Sequence, residues 1–168
     1  KADVSADVAL DGDGCALRLK TPGGELDMRL PLLGKHSALN ALGATAAALA
    51  AGAALPEVRA GLEKLKAVSG RLEVKPGING TRVIDDTYNA NPASLAAGLQ
   101  VLRDFPGERA LVLGDMAELG SAAVDIHRRV GELAKGLGIQ KLFALGELSR
   151  HAVETFGRGA RHFDNPET

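Results

Sequence analysis

The sequence predicts an α/β protein in two parts. An antiparallel meander with helices occupies residues 1–69, and a Rossmann-like, mostly parallel sheet covered by helices occupies residues 70–168. Three observations predict this. Residues 4 to 33 alternate apolar and polar side chains with the period of strands, and the stretch after Ala38 has the composition of helices. After Val68-Ser69-Gly70, strand and helix patterns alternate to the end of the chain.

In the first part, Val8 and Leu10, then Ala16, Leu17 and Leu19, then Leu26, Met28 and Leu30 mark three strands. They are separated by Asp11-Gly12-Asp13-Gly14 and Thr21-Pro22-Gly23-Gly24. The glycines of these breaks supply the positive φ that tight hairpins need. Asp11-Gly12-Asp13-Gly14 has a faint likeness to a calcium loop, but Pro22 stands where such a loop needs its bidentate Glu, so the turn reading is preferred. A helix is expected from Ala38 to Ala51, ended by Gly52. Leu55-Pro56-Glu57 opens a second, with Val58, Leu62 and Leu65 on one face. The run from Ala38 to Leu55 is too rich in Ala, and too interrupted by Asn40 and Thr45, to insert in a bilayer; it reads as a close-packed helix of a soluble core.

In the second part, strands are expected at Arg71–Val74, Arg82–Asp85, Ala110–Leu113, Lys141–Leu145 and Arg161–Phe163. Helices are expected at Pro92–Phe105, about Ala122–Leu137 and Leu148–Phe156. Repeated strand-helix units imply parallel strands joined by right-handed crossovers. The change of texture places a domain boundary near Ser69-Gly70.

Composition narrows the function classes. With 168 residues, 45% hydrophobic and 24% charged, the chain can bury one ordinary core or two small ones. A net charge of -1 gives no bulk attraction to nucleic acid or anionic lipid, so anion binding requires a local site. The single cysteine, Cys15, cannot form an internal disulfide, and cytoplasm is the expected compartment. Lys1-Ala2-Asp3-Val4 lacks an initiator Met and a basic-then-apolar leader, so a start within a longer protein, without a signal peptide, is expected. At the other end, Asn165 followed by Pro166 reads as a helix start cut short.

Ligands of doubly wound sheets sit beyond the carboxyl ends of the strands. Two such segments carry chemistry: Asp85-Asp86-Thr87-Tyr88-Asn89-Ala90-Asn91-Pro92, and Gly114-Asp115-Met116-Ala117-Glu118-Leu119-Gly120. On spacing alone, Asp85 and Asp86 read equally well as strand-end caps and as ligand groups, and Asn91 before Pro92 is a good helix cap. Gly114-Asp115 reads rather as an ordinary strand-to-helix turn. Gly34-Lys35-His36-Ser37 lacks the upstream Gly of a phosphate loop and has His where Ser or Thr would hold magnesium. The four His residues, 36, 127, 151 and 162, have no metal-ligand spacing.

Taken together, Gly34-x-His36-x-x-x-Asn40-Ala41-Leu42, Ser69-Gly70-Arg71-Leu72-Glu73 and the two segments above resemble the Mur ligases in order and spacing, over essentially the whole chain. The resemblance implies the end of a P-loop-type ATPase domain followed by most of a C-terminal domain. The Asp-Asp-Thr-Tyr-Asn-Ala-Asn and Gly-Asp-Met-Ala-Glu-Leu-Gly forms are similar to the branch that joins D-Ala-D-Ala to UDP-muramoyl-tripeptide. ATP, with Mg2+ held by residues outside this chain, would activate the peptide carboxylate as an acyl phosphate. By position, Asn40 matches the adenine-contacting Asn, Arg71 the Arg that reaches the γ-phosphate, and Asp86 the ribose-binding Asp; His36 matches the His of the same helix start. The sequence departs from the family at Ser37, where Asn is usual. Asn89, Asn91, Asp115 and Glu118, on loops past strand ends, are assigned to the D-Ala-D-Ala or interdomain side. The competing readings are another ligase of the superfamily, such as a folylpolyglutamate synthetase, and a non-catalytic nucleotide-binding module. The aromatic of Asp86-Thr87-Tyr88 argues against the former, and a phosphate loop elsewhere in the protein would argue against the latter.

Overall fold

The computed structural model describes residues 3–165, so the helix start expected at Pro166 lies outside the described residues. Two compact units make up the chain, one running to Tyr88 and the other beginning at Asn89.

The first unit opens with β1 (Ser5–Asp11), β2 (Gly14–Thr21) and β3 (Gly24–Leu30), an antiparallel meander in the order β1-β2-β3. The pairing sets Leu17 opposite Val8 and Met28, and Cys15 opposite Leu10 and Leu30, so one face is apolar. Helices α1 (Lys35–Ala50) and α2 (Leu55–Leu62) cover it. Cys15, Leu17, Leu19, Met28 and Leu30 form one core with Ala38, Ala41, Val58 and Leu62. Burial of each large side chain there contributes about 1.5–3 kcal/mol. On the other face, Arg18–Asp27, Lys20–Asp7 and Arg29–Asp11 pair across the strands at 2.7–2.8 Å, exposed and so screened by solvent. Leu65, expected on the apolar face of the second helix, lies past the end of α2 and is 42% exposed. A helix of eight residues has no further turn in which to bury it.

Next come β4 (Glu73–Pro76) and β5 (Arg82–Asp85), paired antiparallel in a hairpin with Asn79 and Gly80 at positive φ in the connection. The strand expected from Arg71 begins two residues later. Gly70 at φ 72 and Leu72 at φ 48 turn the chain there, and neither angle is compatible with a strand. The Arg82 guanidinium reaches the Gly12 carbonyl at 3.5 Å and Asp13 at 3.6 Å, which ties this hairpin to the β1–β2 turn.

The second unit alternates α3 (Pro92–Arg103), β6 (Ala110–Leu113), α4 (Ala123–Gly136), β7 (Lys141–Leu145), α5 (Arg150–Phe156) and β8 (Ala160–Phe163). The three strands are parallel in the order β6-β7-β8. Leu111, Leu113 and Leu142 pack with Leu99, Val130, Ala134, Ala152 and Phe156 from the three helices. Helices α4 and α5 meet at Gly131, where a Cβ would overlap the Ala152 carbonyl and the Thr155 hydroxyl. Only a residue without a side chain permits that approach.

Candidate active site

Arg71 stands between the two positive-φ residues, and three contacts hold it. The Tyr88 N–H donates to the Gly70 carbonyl at 3.0 Å. The Leu72 N–H donates to Asp86 Oδ1 at 3.2 Å. The Arg71 guanidinium lies over the Tyr88 ring, 4.2 Å from its centroid. Residues 70–72 are thus clasped to residues 86–88, bringing together two of the sequence-predicted residues, Arg71 and Asp86. A Cβ on Gly70 would sit 3.0 Å from Tyr88 N, so glycine is needed both for its φ and for this approach. Leu72 is buried at its strained φ, a conformation costing roughly 1–3 kcal/mol that its packing and the Asp86 bond must offset.

The two adjacent acids behave differently. Asp85 accepts from Lys75 Nζ and from the Thr87 N–H and hydroxyl at 3.1 and 2.7 Å. The Lys75 ammonium first, then these Thr87 hydrogen bonds, pull its pKa down to about 2. Asp85 is therefore occupied in holding the end of β5. Asp86 spends one oxygen on the Leu72 amide.

On α1, His36 and Asn40 are exposed and four residues apart, hence on one face of the helix start. Ser37 turns inward instead, its hydroxyl donating to the Leu33 carbonyl at 2.7 Å. The residue that departs from the family pattern is thus engaged with its own backbone.

In the second unit, Asn91 caps α3. Its side chain accepts from the Ser94 N–H at 2.9 Å while Ser94 Oγ accepts from the Asn91 N–H at 3.1 Å, with Pro92 in the first turn. Asp115 accepts from the Leu148 and Ser149 amides at 3.1 and 2.7 Å, fastening the end of β6 to the entry of α5. Partial burial pushes its carboxyl pKa up, but the amide and hydroxyl bonds outweigh this and hold it below the usual value. Glu118 is exposed at φ 60, and Asn89 is exposed at the start of the unit. Neither side chain makes a hydrogen bond or ion pair among the described residues.

Sequence reasoning missed His127, which is fully buried. Its Nε2 accepts from the Met116 N–H at 3.1 Å, leaving the proton on Nδ1, which donates to the Ala123 carbonyl at 2.8 Å. It therefore pins the Gly114–Gly120 segment from within α4. The available signal was its helical spacing with Val130, Gly131 and Ala134, all buried.

Among the described residues no group of three or more His, Cys, Asp or Glu could hold a metal ion. Within the first unit, Asp85 is bound to Lys75 and Thr87 and offers no free carboxylate to magnesium.

The family model described as Mur ligase, glutamate ligase domain matches residues 70–168, more than half of the chain, and the chain belongs to the Mur ligase family. Within that family it is similar to UDP-N-acetylmuramoyl-tripeptide–D-alanyl-D-alanine ligases. It is 42% identical over 160 residues to the UDP-N-acetylmuramoyl-tripeptide–D-alanyl-D-alanine ligase of Escherichia coli (strain K12), covering 95% of this chain and 35% of that protein. To the enzyme of the same name from Bacillus subtilis (strain 168) it is 35% identical over 161 residues, covering 94% and 34%. Among solved structures, MurF from Acinetobacter baumannii superposes with a TM-score of 0.88 at 35% identity, over 96% of this chain and 35% of that one. The chain spans about a third of the length of the curated relatives it matches.

Proposed function

We propose that this chain is part of an ATP-dependent amide ligase that joins D-alanyl-D-alanine to UDP-N-acetylmuramoyl-tripeptide in peptidoglycan precursor synthesis. The observation that carries the reading is the similarity to ligases of that name over 95% of the chain, both strand-end segments included. The γ-phosphoryl group passes from ATP to the peptide carboxylate, releasing ADP. The amine of D-Ala-D-Ala then attacks the acyl phosphate, forming the amide and releasing phosphate. In such chemistry a protein chiefly positions reactants and neutralises phosphate charge.

In this reading Arg71 contacts the γ-phosphate, Asp86 accepts from the ribose hydroxyls, and Asn40, with His36 beside it, faces the adenine. Asn89 and Glu118 remain available for the D-Ala-D-Ala or interdomain side, whereas Asn91 and Asp115 act chiefly by holding the loops on which that side is built. The magnesium ligands are assigned to parts of the protein outside this chain. We place the domain boundary at Ser69-Gly70, supported by the start of the family match there. Among the described residues no helix is long and apolar enough to cross a membrane, and the compartment proposed for this chemistry is the cytoplasm.

The test is a phosphate-release assay on the full-length protein with UDP-muramoyl-tripeptide, D-Ala-D-Ala and Mg-ATP. Turnover dependent on D-Ala-D-Ala supports the assignment, and turnover only with a different amine or acceptor overturns it. Calorimetric titration of this 168-residue chain with Mg-ATP should show only weak binding. Sub-micromolar affinity would mean a complete nucleotide site lies within it.

A further inference from the structure

We propose that Tyr88 is a positioning residue for Arg71: its ring face and backbone amide hold the guanidinium and the bent Gly70–Leu72 segment in the orientation from which Arg71 meets the nucleotide phosphate. The inference rests on the reading of Arg71 as the phosphate contact. The geometry itself stands apart from that reading.

Four observations converge on it. The guanidinium sits 4.2 Å from the centroid of Tyr88, within the range at which a cation is attracted to the negative face of an aromatic ring. Tyr88 also donates its N–H to Gly70 at 3.0 Å, so a single residue grips both the backbone before Arg71 and its side chain. Arg71 is flanked by Gly70 at φ 72 and Leu72 at φ 48, and a strained backbone persists only where neighbouring structure over-determines it. Finally, Tyr88 is 66% exposed, so its ring adds little to the core.

An arginine side chain free in solution loses rotamer entropy when it engages a phosphate. One already laid on an aromatic face has lost much of that freedom beforehand. Guanidinium binding to a ring face leaves its N–H edge open to an oxyanion, because the two interactions use different parts of the group. Tyr88 can therefore hold Arg71 without competing with the phosphate.

The experiment is a double-mutant cycle in the full-length enzyme with Tyr88→Leu, Tyr88→Phe and Arg71→Ala, measuring kcat, KM for ATP and melting temperature. Tyr88→Leu should lower kcat/KM for ATP by about two- to fivefold, the size of an exposed cation–ring contact, with the melting temperature nearly unchanged. Tyr88→Phe, which keeps the ring, should restore most of that loss. In the Arg71→Ala background Tyr88→Leu should have no further effect. An equal effect in both backgrounds, or none in the wild type, overturns the proposal. A second readout does not depend on activity. This chain has one Tyr and no Trp, so its intrinsic emission reports Tyr88 alone. Arg71→Ala should change that emission, and an unchanged lifetime would show that the stack does not form in solution. Absence of ligase activity in the wild type would instead count against the proposed function, with the emission measurement still deciding whether Tyr88 holds Arg71.

Discussion

Asp85-Asp86 and Asp115 each follow an apolar strand, β5 and β6, and look alike in sequence, yet they do different work. At the end of β5 one acid meets a cation and the other a strained turn. Asp85 neutralises Lys75, and Asp86 holds the Leu72 amide so that Arg71 is presented on Tyr88. Past β6 the acid meets only neutral donors, accepting two amides at the entry of α5, while His127 fastens the next residue from beneath. An acid at a strand end is thus defined by what it faces. Asp86 holds the bent backbone next to Arg71, whereas Asp115 holds a helix entry.

The largest effect should separate these roles outright. Arg71→Ala in the full-length enzyme should lower turnover by about 10²- to 10³-fold, as loss of a charge stabiliser does, while the melting temperature stays close to wild type. Undiminished turnover would remove Arg71 from the site and leave the first segment as much a scaffold as the second.

His127→Ala should act in the opposite way, on stability, because it leaves the Met116 N–H without its buried acceptor. Urea denaturation should show a loss of roughly 1–3 kcal/mol. A smaller change would mean that the Gly114–Gly120 segment is held by Asp115 alone.

Asp115→Ala should cost about 1 kcal/mol, the usual value of a lost helix-entry cap. Asp115→Asn, which retains an acceptor oxygen, should cost less, and equal losses in the two variants would indicate that charge rather than acceptance matters.

The smallest effect belongs to Asp85. Its folded pKa of about 2 lies below the usual 3.8, so its contribution is present above the ordinary value and is lost as pH falls toward 2. Asp11, lowered to about 2 chiefly by Arg29, contributes in the same window. The acid limb of the urea midpoint against pH should therefore flatten in part in Asp85→Asn. An unaltered limb would mean that Lys75 and Asp85 do not pair in solution.

Much of the fold was legible in the residues alone, for a local reason. Strand alternation and turn chemistry act over a few positions, so β5, β6 and β7 fall on the expected residues and both meander turns fall at the expected breaks. The capping role of Asn91 was legible in the same way, since cap and capped amide lie three residues apart. What could not be read were pairings between distant residues. Leu72 and Asp86 are 14 positions apart, Asp115 and Ser149 are 34, and Met116 and His127 are 11. Spacing left Asp85 and Asp86 equivalent, and the hairpin distinguished them by pointing one at Lys75 and the other at a backbone amide. Leu72 at positive φ was equally beyond reach, because local preference puts a leucine in a strand and only tertiary packing offsets the strain. Sequence by itself determined the elements and the residue types able to handle phosphate, since both follow from local chemistry. Only the tertiary structure decided which acid holds the backbone beside Arg71 and which binds the entry of α5, because that depends on partners brought together by folding.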